Sequence, residues 1–219
     1  KTNNASSSLM PIFIISGNHD PYKKDSLWFS FSFPSNVVIF DSKDLEPKTS
    51  GDLVYVLGAT KNELGASEYY DFKGAIGANV PRVDCKKAFA AYKVLNNAIK
   101  SRLVRSAHDC SDGGLAVALA EKAFAGDLGI TADLRKLVRE KDVDRNFKAL
   151  FSESASRIIA TISAKNKNEF EKIMSGSDFA QIGEVTGEQR LKIIGLNGEK
   201  IVDESIFELK KSWQKPFGV

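Results

Sequence analysis

Cysteine is nearly absent. Cys85 and Cys110 are the only two in 219 residues, too few for a disulfide framework and without the paired spacing of a metal-binding motif. Histidine is as scarce, His19 and His108 alone, so a zinc site has little to be built from. No apolar run approaches the roughly twenty residues of a membrane span, and no secretory leader is visible. A dominant charge is missing too. The 31 basic and 28 acidic residues are well mixed and leave a net +3, which is not the footprint of a nucleic-acid binder. These absences leave a cytoplasmic protein as the expectation, with neither nucleic acid nor membrane as partner. At 42% hydrophobic, the chain can bury a core as one large domain or two small ones.

What is present gathers around residues 105–126, RSAHDCSDGGLAVALAEKAFAG. His108, Asp109, Cys110, Ser111, Asp112, Gly113 and Gly114 stand in a row, and a small, apolar run follows from Leu115 to Ala120 and again at Ala123 and Phe124. Ser111 or Asp112 is suited to cap a helix there by accepting from the unpaired amides of its first turn. The paired glycines let backbone or a ligand come close. So many alanines point to a helix buried nearly all round and packed against a sheet. Such a helix, opening in an Asp- and Gly-rich mouth, suits a phosphate or a metal–phosphate. A capped core helix with no ligand accounts for SDGG as well.

Taken in order, residues 1–8 are polar, of low complexity and without an initiator Met, which reads as the frayed end of a fragment. Residues 11–15 read as a buried strand ending at Ser16-Gly17-Asn18, a turn that serves phosphate binding or a plain reversal equally. WFSFSF (28–33) alternates with period two, and 36–40 is a further strand. The charged stretch 41–51, with Pro47, reads as a boundary between residues 1–50 and 51–219. Beyond it, LVYVL (53–57) reads as a short buried strand closed by Gly58, 63–70 as a helical turn, and 74–81 as a mobile loop. Asp84 caps a helix over 85–100, whose Ala88, Ala91, Tyr92, Leu95, Ala98 and Ile99 form one stripe. Strands are expected at 104–107, 129–134, 157–162, 179–185, 190–194 and 200–202, with Asn197-Gly198 turning the last hairpin. Helices are expected at 166–174 and 204–211, with Trp213, Pro216 and Phe217 pinning the tail. Without strict βαβ order, an α+β sandwich is expected over a doubly wound sheet.

SAHDCSDGGLAVALAEKAFAG resembles the motif in the C-terminal half of the formylglycinamide ribonucleotide amidotransferases, the phosphoribosylformylglycinamidine synthase family. GDLVYVLG (51–58), ELGASEYY (63–70), NVPRVD (79–84), LFSESASRIIATI (150–162), IGEV (182–185) and ELKKSWQKPF (208–217) agree with that family in order and spacing. Together they cover almost everything from Gly51 to the end. SDGGL alone is shared across the superfamily of aminoimidazole ribonucleotide synthetase, thiamine monophosphate kinase and selenophosphate synthetase. The SEYY, SES-x-x-R and W-x-x-PF set is more specific. The resemblance implies two N-type and two C-type domains, with the N-type pair forming a central barrel. Residues 51–219 would be the second C-type domain, an α/β sandwich, and residues 1–50 part of the second N-type domain. The match over 1–50 is poor: Ser16-Gly17-Asn18 stands for the family's SG(K/N)-x-S loop, with Lys24-Asp25-Ser26 competing for the register. Gly65-Ala66, Ala75 and Ala78 also depart from the family's usual glycines. An ending soon after W-x-x-PF resembles the small type of the enzyme, which works with a separate glutaminase subunit and a small bridging subunit.

The resemblance further implies ATP-dependent conversion of formylglycinamide ribonucleotide to its amidine, with ammonia from glutamine displacing phosphate from the activated amide. Mg²⁺ and ATP are the implied cofactors, and the remainder of a longer chain is an implied partner. Asp109 becomes the candidate Mg²⁺ ligand, with Asp112, Gly113, Gly114, Ser16, Gly17 and Asn18 as nucleotide- or phosphate-binding residues. No catalytic residue is assigned, because the matching site in large-type relatives is a pseudo-symmetric, structural one. His108 orients the loop or is a structural histidine, no acid partner being visible beside it. Glu153 and Arg157 read as an ion pair beside the mouth or as a solvated strand-edge pair. Glu68 and Tyr69 carry family weight, or else are a surface residue and a core residue. An auxiliary or structural nucleotide-binding module, or another superfamily enzyme such as aminoimidazole ribonucleotide synthetase, are the other readings. By itself the fragment is expected to be inactive.

Overall fold

Along the chain the elements are β1 (Phe13–Ile15), β2 (Val38–Phe40), β3 (Leu53–Leu57), α1 (Glu68–Phe72), α2 (Cys85–Lys100), β4 (Val104–Asp109) and α3 (Gly114–Ala125). There follow β5 (Gly129–Asp133), α4 (Asn146–Phe151), β6 (Ile158–Ile162), α5 (Lys167–Met174), β7 (Phe179–Thr186), β8 (Arg190–Ile194), β9 (Lys200–Ser205) and α6 (Ile206–Gln214). The computed structural model describes residues 13–15, 38–40 and 49–215. The Ser16-Gly17-Asn18 turn, Lys24-Asp25-Ser26, WFSFSF, most of the boundary stretch 41–51 and the Pro216-Phe217 anchor lie outside the described residues. β1 and β2, both within expected strands, pair in parallel.

The other strands form one mixed sheet of seven, in the order β4-β6-β3-β7-β5-β8-β9. Neighbours are antiparallel except for β5 and β8. β3 is apolar at every position because helices cover both faces of the sheet. Val54 and Val56 point to one side, into a core with Leu115, Leu119 and Ile130, while Tyr55 and Leu57 point to the other, against Leu95, Ala98, Phe170 and Met174. The first side is roofed by α3, flanked by α4 and α6, and the second by α2 and α5. Each fully buried Leu, Ile or Phe of these layers contributes about 1.5–3 kcal/mol of transfer free energy, which sets the two-layer arrangement well above any single polar contact. The α+β sandwich expected from the sequence is the architecture found.

Local chemistry explains most boundaries. Asp84 caps α2 by accepting from the amides of Lys86 and Lys87, as its position before the apolar stripe predicts. Gly58 ends β3 at φ 87°, and Gly198 turns the β8–β9 hairpin at φ 86°. Several boundaries differ from expectation by a few residues, and two of them have a clear cause. β4 runs on through His108 and Asp109, which pair with Ile159 and Ile158, because β6 extends far enough to carry them. The terminal helix starts at Ile206, two residues late, because β9 keeps pairing through Ser205 opposite Arg190, and Ser205 then caps α6 through the Phe207 amide. The 74–81 stretch is exposed and irregular, yet its backbone is tied down, with Gly65 N donating to Asn79 O and Ala66 N to Ile76 O.

Candidate functional site

The mouth forms where β4 ends and α3 begins. Asp109, the last residue of β4, keeps its carboxylate 42% exposed, while α3 behind it has no exposed residue. The expectation that Ser111 or Asp112 caps α3 is not met. Gly113 holds the N-cap position at φ 73° with no side-chain cap. Ser111 instead turns its hydroxyl back to the Asp109 carboxylate, and the Gly113 amide donates to Glu153 Oε1 at 2.8 Å. Glu153 thus caps the helix from 40 residues away. The same oxygen accepts from the Glu68 amide at 3.0 Å, so one carboxylate holds the mouth to the start of α1.

The glycines answer a packing demand. A β-carbon on Gly114 would meet the Ser152 carbonyl oxygen at 2.5 Å and that of Leu150 at 2.9 Å, and the residue sits at φ 63°. The close approach that SDGG permits is therefore made by the chain's own segment 150–152.

Glu153 and Arg157 do not pair, as an ion pair or as a solvated strand-edge pair. The left-handed turn at Ser156, φ 66°, sends them different ways. Arg157 is wholly buried and donates to the carbonyls of Ser152 and Ser154 and to Thr60 Oγ1, fixing the loop that presents Glu153. Burial lowers the Arg157 pKa from its ordinary value. Glu68 lies on the surface as expected, and Tyr69, half-buried, stacks on Phe151 and Phe147 at 4.8 and 5.6 Å between centroids.

Two residues of the site, Glu121 and Lys122, escape sequence reading. Glu121 accepts from or shares a proton with His108 Nε2 at 2.8 Å, supplying the acid partner that the local sequence of the histidine lacks. Its second oxygen accepts from the Trp213 indole at 2.9 Å, which ties α6 to α3. Lys122 lies fully buried, donating to the Ser106 hydroxyl, which in turn meets Thr161 Oγ1 at 2.6 Å. Desolvation pushes the Lys122 ammonium down to about 7 and the neighbouring Cys110 thiol up to about 11. A hydrophilic pair inside an alanine-rich run, Glu121-Lys122, is the one signal that marked these positions.

Chemically, the mouth offers the accessible carboxylates of Asp109 and Asp112, a buried imidazole beside Asp109 and a helix start already capped by Glu153. No group of three or more metal-ligating side chains occurs among the described residues, so a cation here would draw the rest of its ligands from nucleotide and water. Asp112 is exposed next to Asp109, and Gly113 and Gly114 are buried at the helix start. A separate cleft of about 510 Å³ opens between α2 and the loop at Ser156, with Lys61, Arg82 and Lys87 facing Asp84, Glu140 and Asp178. No described helix is long and apolar enough to cross a membrane.

Residues 49–195 match the family described as "AIR synthase related protein, C-terminal domain". A phosphoribosylformylglycinamidine synthase subunit PurL from Carboxydothermus hydrogenoformans is 36% identical over 170 residues, covering 76% of this chain and 22% of that protein. The chain therefore spans about a fifth of that relative's length. Among solved structures, Thermotoga maritima PurL complexed with FGAR is similar at a TM-score of 0.66 and 19% identity, over 75% of this chain and 28% of the other. PurLQS from Thermotoga maritima follows at 0.62 and 18%, over 75% and 27%. Escherichia coli HypE, a hydrogenase maturation protein, is similar at 0.55 and 18%, over 76% and 52%. At such identities these structures attest the fold.

Proposed function

Because the chain belongs to the AIR synthase related family, whose C-terminal domain residues 49–195 match, we propose that it is the C-terminal part of an ATP-dependent ligase of purine biosynthesis. The proposed reaction converts formylglycinamide ribonucleotide to formylglycinamidine ribonucleotide with ammonia drawn from glutamine. The observation that carries this reading is the 36% identity over 170 residues to a phosphoribosylformylglycinamidine synthase subunit. In that chemistry the terminal phosphoryl group of ATP passes to the glycinamide carbonyl oxygen, and the formyl group is untouched. Nitrogen of ammonia then bonds to the carbon, the carbon–oxygen bond breaks, and phosphate leaves with the electron pair. Fixed charges and dipoles around the phosphates matter more to such a transfer than side-chain acids and bases.

The residues at the mouth fit a metal-bound nucleotide. Asp109 offers a hard oxygen ligand at the surface, and the buried Nδ1 of His108 beside it has no hydrogen-bond partner among the described residues. When bound, Mg²⁺ screens the phosphate charges. Asp109 holds the cation, Asp112, Gly113 and Gly114 line the phosphate end, and Ser16, Gly17 and Asn18 are proposed as further nucleotide contacts. A glutaminase subunit, a small bridging subunit and the remainder of a longer chain are the proposed partners, in the cytoplasm. One observation favours a purely structural module: the Gly113 amide, which a phosphate would use, already donates to Glu153.

A chimaera tests the function. Residues 49–219 replace the matching segment of the Carboxydothermus enzyme, and the product is assayed with formylglycinamide ribonucleotide, ATP, Mg²⁺ and ammonium. Turnover within about tenfold of the parent, a difference of about 1.4 kcal/mol in barrier, is expected. A folded chimaera without turnover would refute the proposal.

A further inference from the structure

His108 stands near the end of β4 with one ring nitrogen engaged and the other unanswered. Nε2 lies 2.8 Å from Glu121 Oε2, and Glu121 Oε1 accepts from the Trp213 indole at 2.9 Å. An ionised carboxylate offers only lone pairs, so a neutral ring placed against it carries its proton on Nε2 and a lone pair on Nδ1. Nδ1 is buried, lacks a hydrogen-bond partner among the described residues, and faces Asp109 Oδ1 at 3.8 Å. Two acceptors set against each other repel, and a buried acceptor without a donor is unfavourable. Both are satisfied by one donor with two protons. A water in the shell of a divalent cation is such a donor, since the metal charge draws its protons outward.

Resting on the metal–nucleotide reading of the mouth, we infer that His108 is a positioning residue whose Nδ1, kept an acceptor by Glu121 and Trp213, accepts a hydrogen bond from cation-bound water gathered by Asp109. The half-exposed Asp109 carboxylate lies 3.8 Å from this buried nitrogen. The chain Trp213–Glu121–His108–Asp109 then makes the grip on the cation depend on how α6 is seated.

With only His19 and His108 in the sequence, imidazole nitrogen resonances of the 219-residue chain are assignable by NMR, using His19→Ala as a control. The expected spectrum shows His108 protonated on Nε2, with an Nδ1 resonance that moves when MgCl₂ and ADP are added while Nε2 stays. A histidine that serves packing alone gives the same tautomer and no ligand-dependent Nδ1 shift, which overturns the inference. So does a proton on Nδ1, alone or together with Nε2. Trp213→Phe keeps a ring beside Phe124 but releases Glu121, and is expected to weaken Mg·ADP binding about tenfold. Unchanged affinity in that variant counts against the chain of contacts. Asp109→Asn separates the two readings. If it binds Mg·ADP as tightly as wild type, the metal site itself is removed. If its binding is weakened but the wild-type Nδ1 does not move with ligand, only the part given to His108 falls.

Discussion

Lys122 is the residue at which pH should act on folding. Its ammonium is fully buried, answered by the Ser106 hydroxyl, and held down at about 7 against an ordinary 10.5. Between those values the unfolded chain binds a proton that the folded one has lost, so stability rises with pH through this window. Below about 7 both states hold the proton and the penalty is constant. The slope should approach about 1.4 kcal/mol per pH unit, the value for one proton. Lys122→Met is expected to flatten it, and thermal melts from pH 6 to 10 compare the two proteins. An equally steep profile in the variant would place the titration elsewhere. Gly114 is the second sensitive residue. With the Ser152 carbonyl oxygen 2.5 Å from any β-carbon there, Gly114→Ala is expected to cost about 3 kcal/mol in chemical denaturation. A loss under about 1 kcal/mol would show that segment 150–152 yields easily.

Among the elements, those set by neighbours in sequence were the legible ones. LVYVL is apolar at five successive positions because it is covered on both faces, Asp84 stands one residue ahead of the helix it caps, and Asn197-Gly198 turns a hairpin. The start of α3 was misread because its cap comes from Glu153, 40 residues on, and no local pattern announces a carboxylate arriving from another loop. His108 and Glu121 were invisible as a pair for the same reason, since only the turn from β4 into α3 brings position 108 against 121. The segment Asp109 to Gly114 was legible as the turn into a buried helix, whereas the carboxylate that caps that helix was not. Glu153→Ala should free the amides of both Gly113 and Glu68. A stability loss of about 1–3 kcal/mol is expected, together with faster hydrogen exchange at those two amides. Protection at Gly113 as strong as in wild type would mean that another group caps α3.

For the whole molecule, ligand linkage decides whether the mouth binds a metal–nucleotide. Asp109→Asn leaves the Gly113 and Glu153 contact intact and removes only the carboxylate charge. The upward shift in melting temperature produced by Mg·ADP is expected to shrink in the variant, with the ligand-free melt within about 0.5 kcal/mol of wild type. An identical shift in both proteins would end the metal assignment. The 219-residue chain alone, supplied with formylglycinamide ribonucleotide, ATP, Mg²⁺ and ammonium, is expected to show no turnover, since the matched relative is several times longer. The strand order has a further consequence, for biosynthesis. β3 pairs with β6 and β7, β4 with β6, and β5 with β7 and β8, so none of the strands β3, β4 and β5 has a partner among the other two. A nascent chain that has emerged only as far as Arg157 holds these three strands without the sheet partners they have among the described residues. Ribosome-bound intermediates of that length must wait for β6 and β7 to emerge before the sheet can close, and during that interval chaperone capture competes with folding.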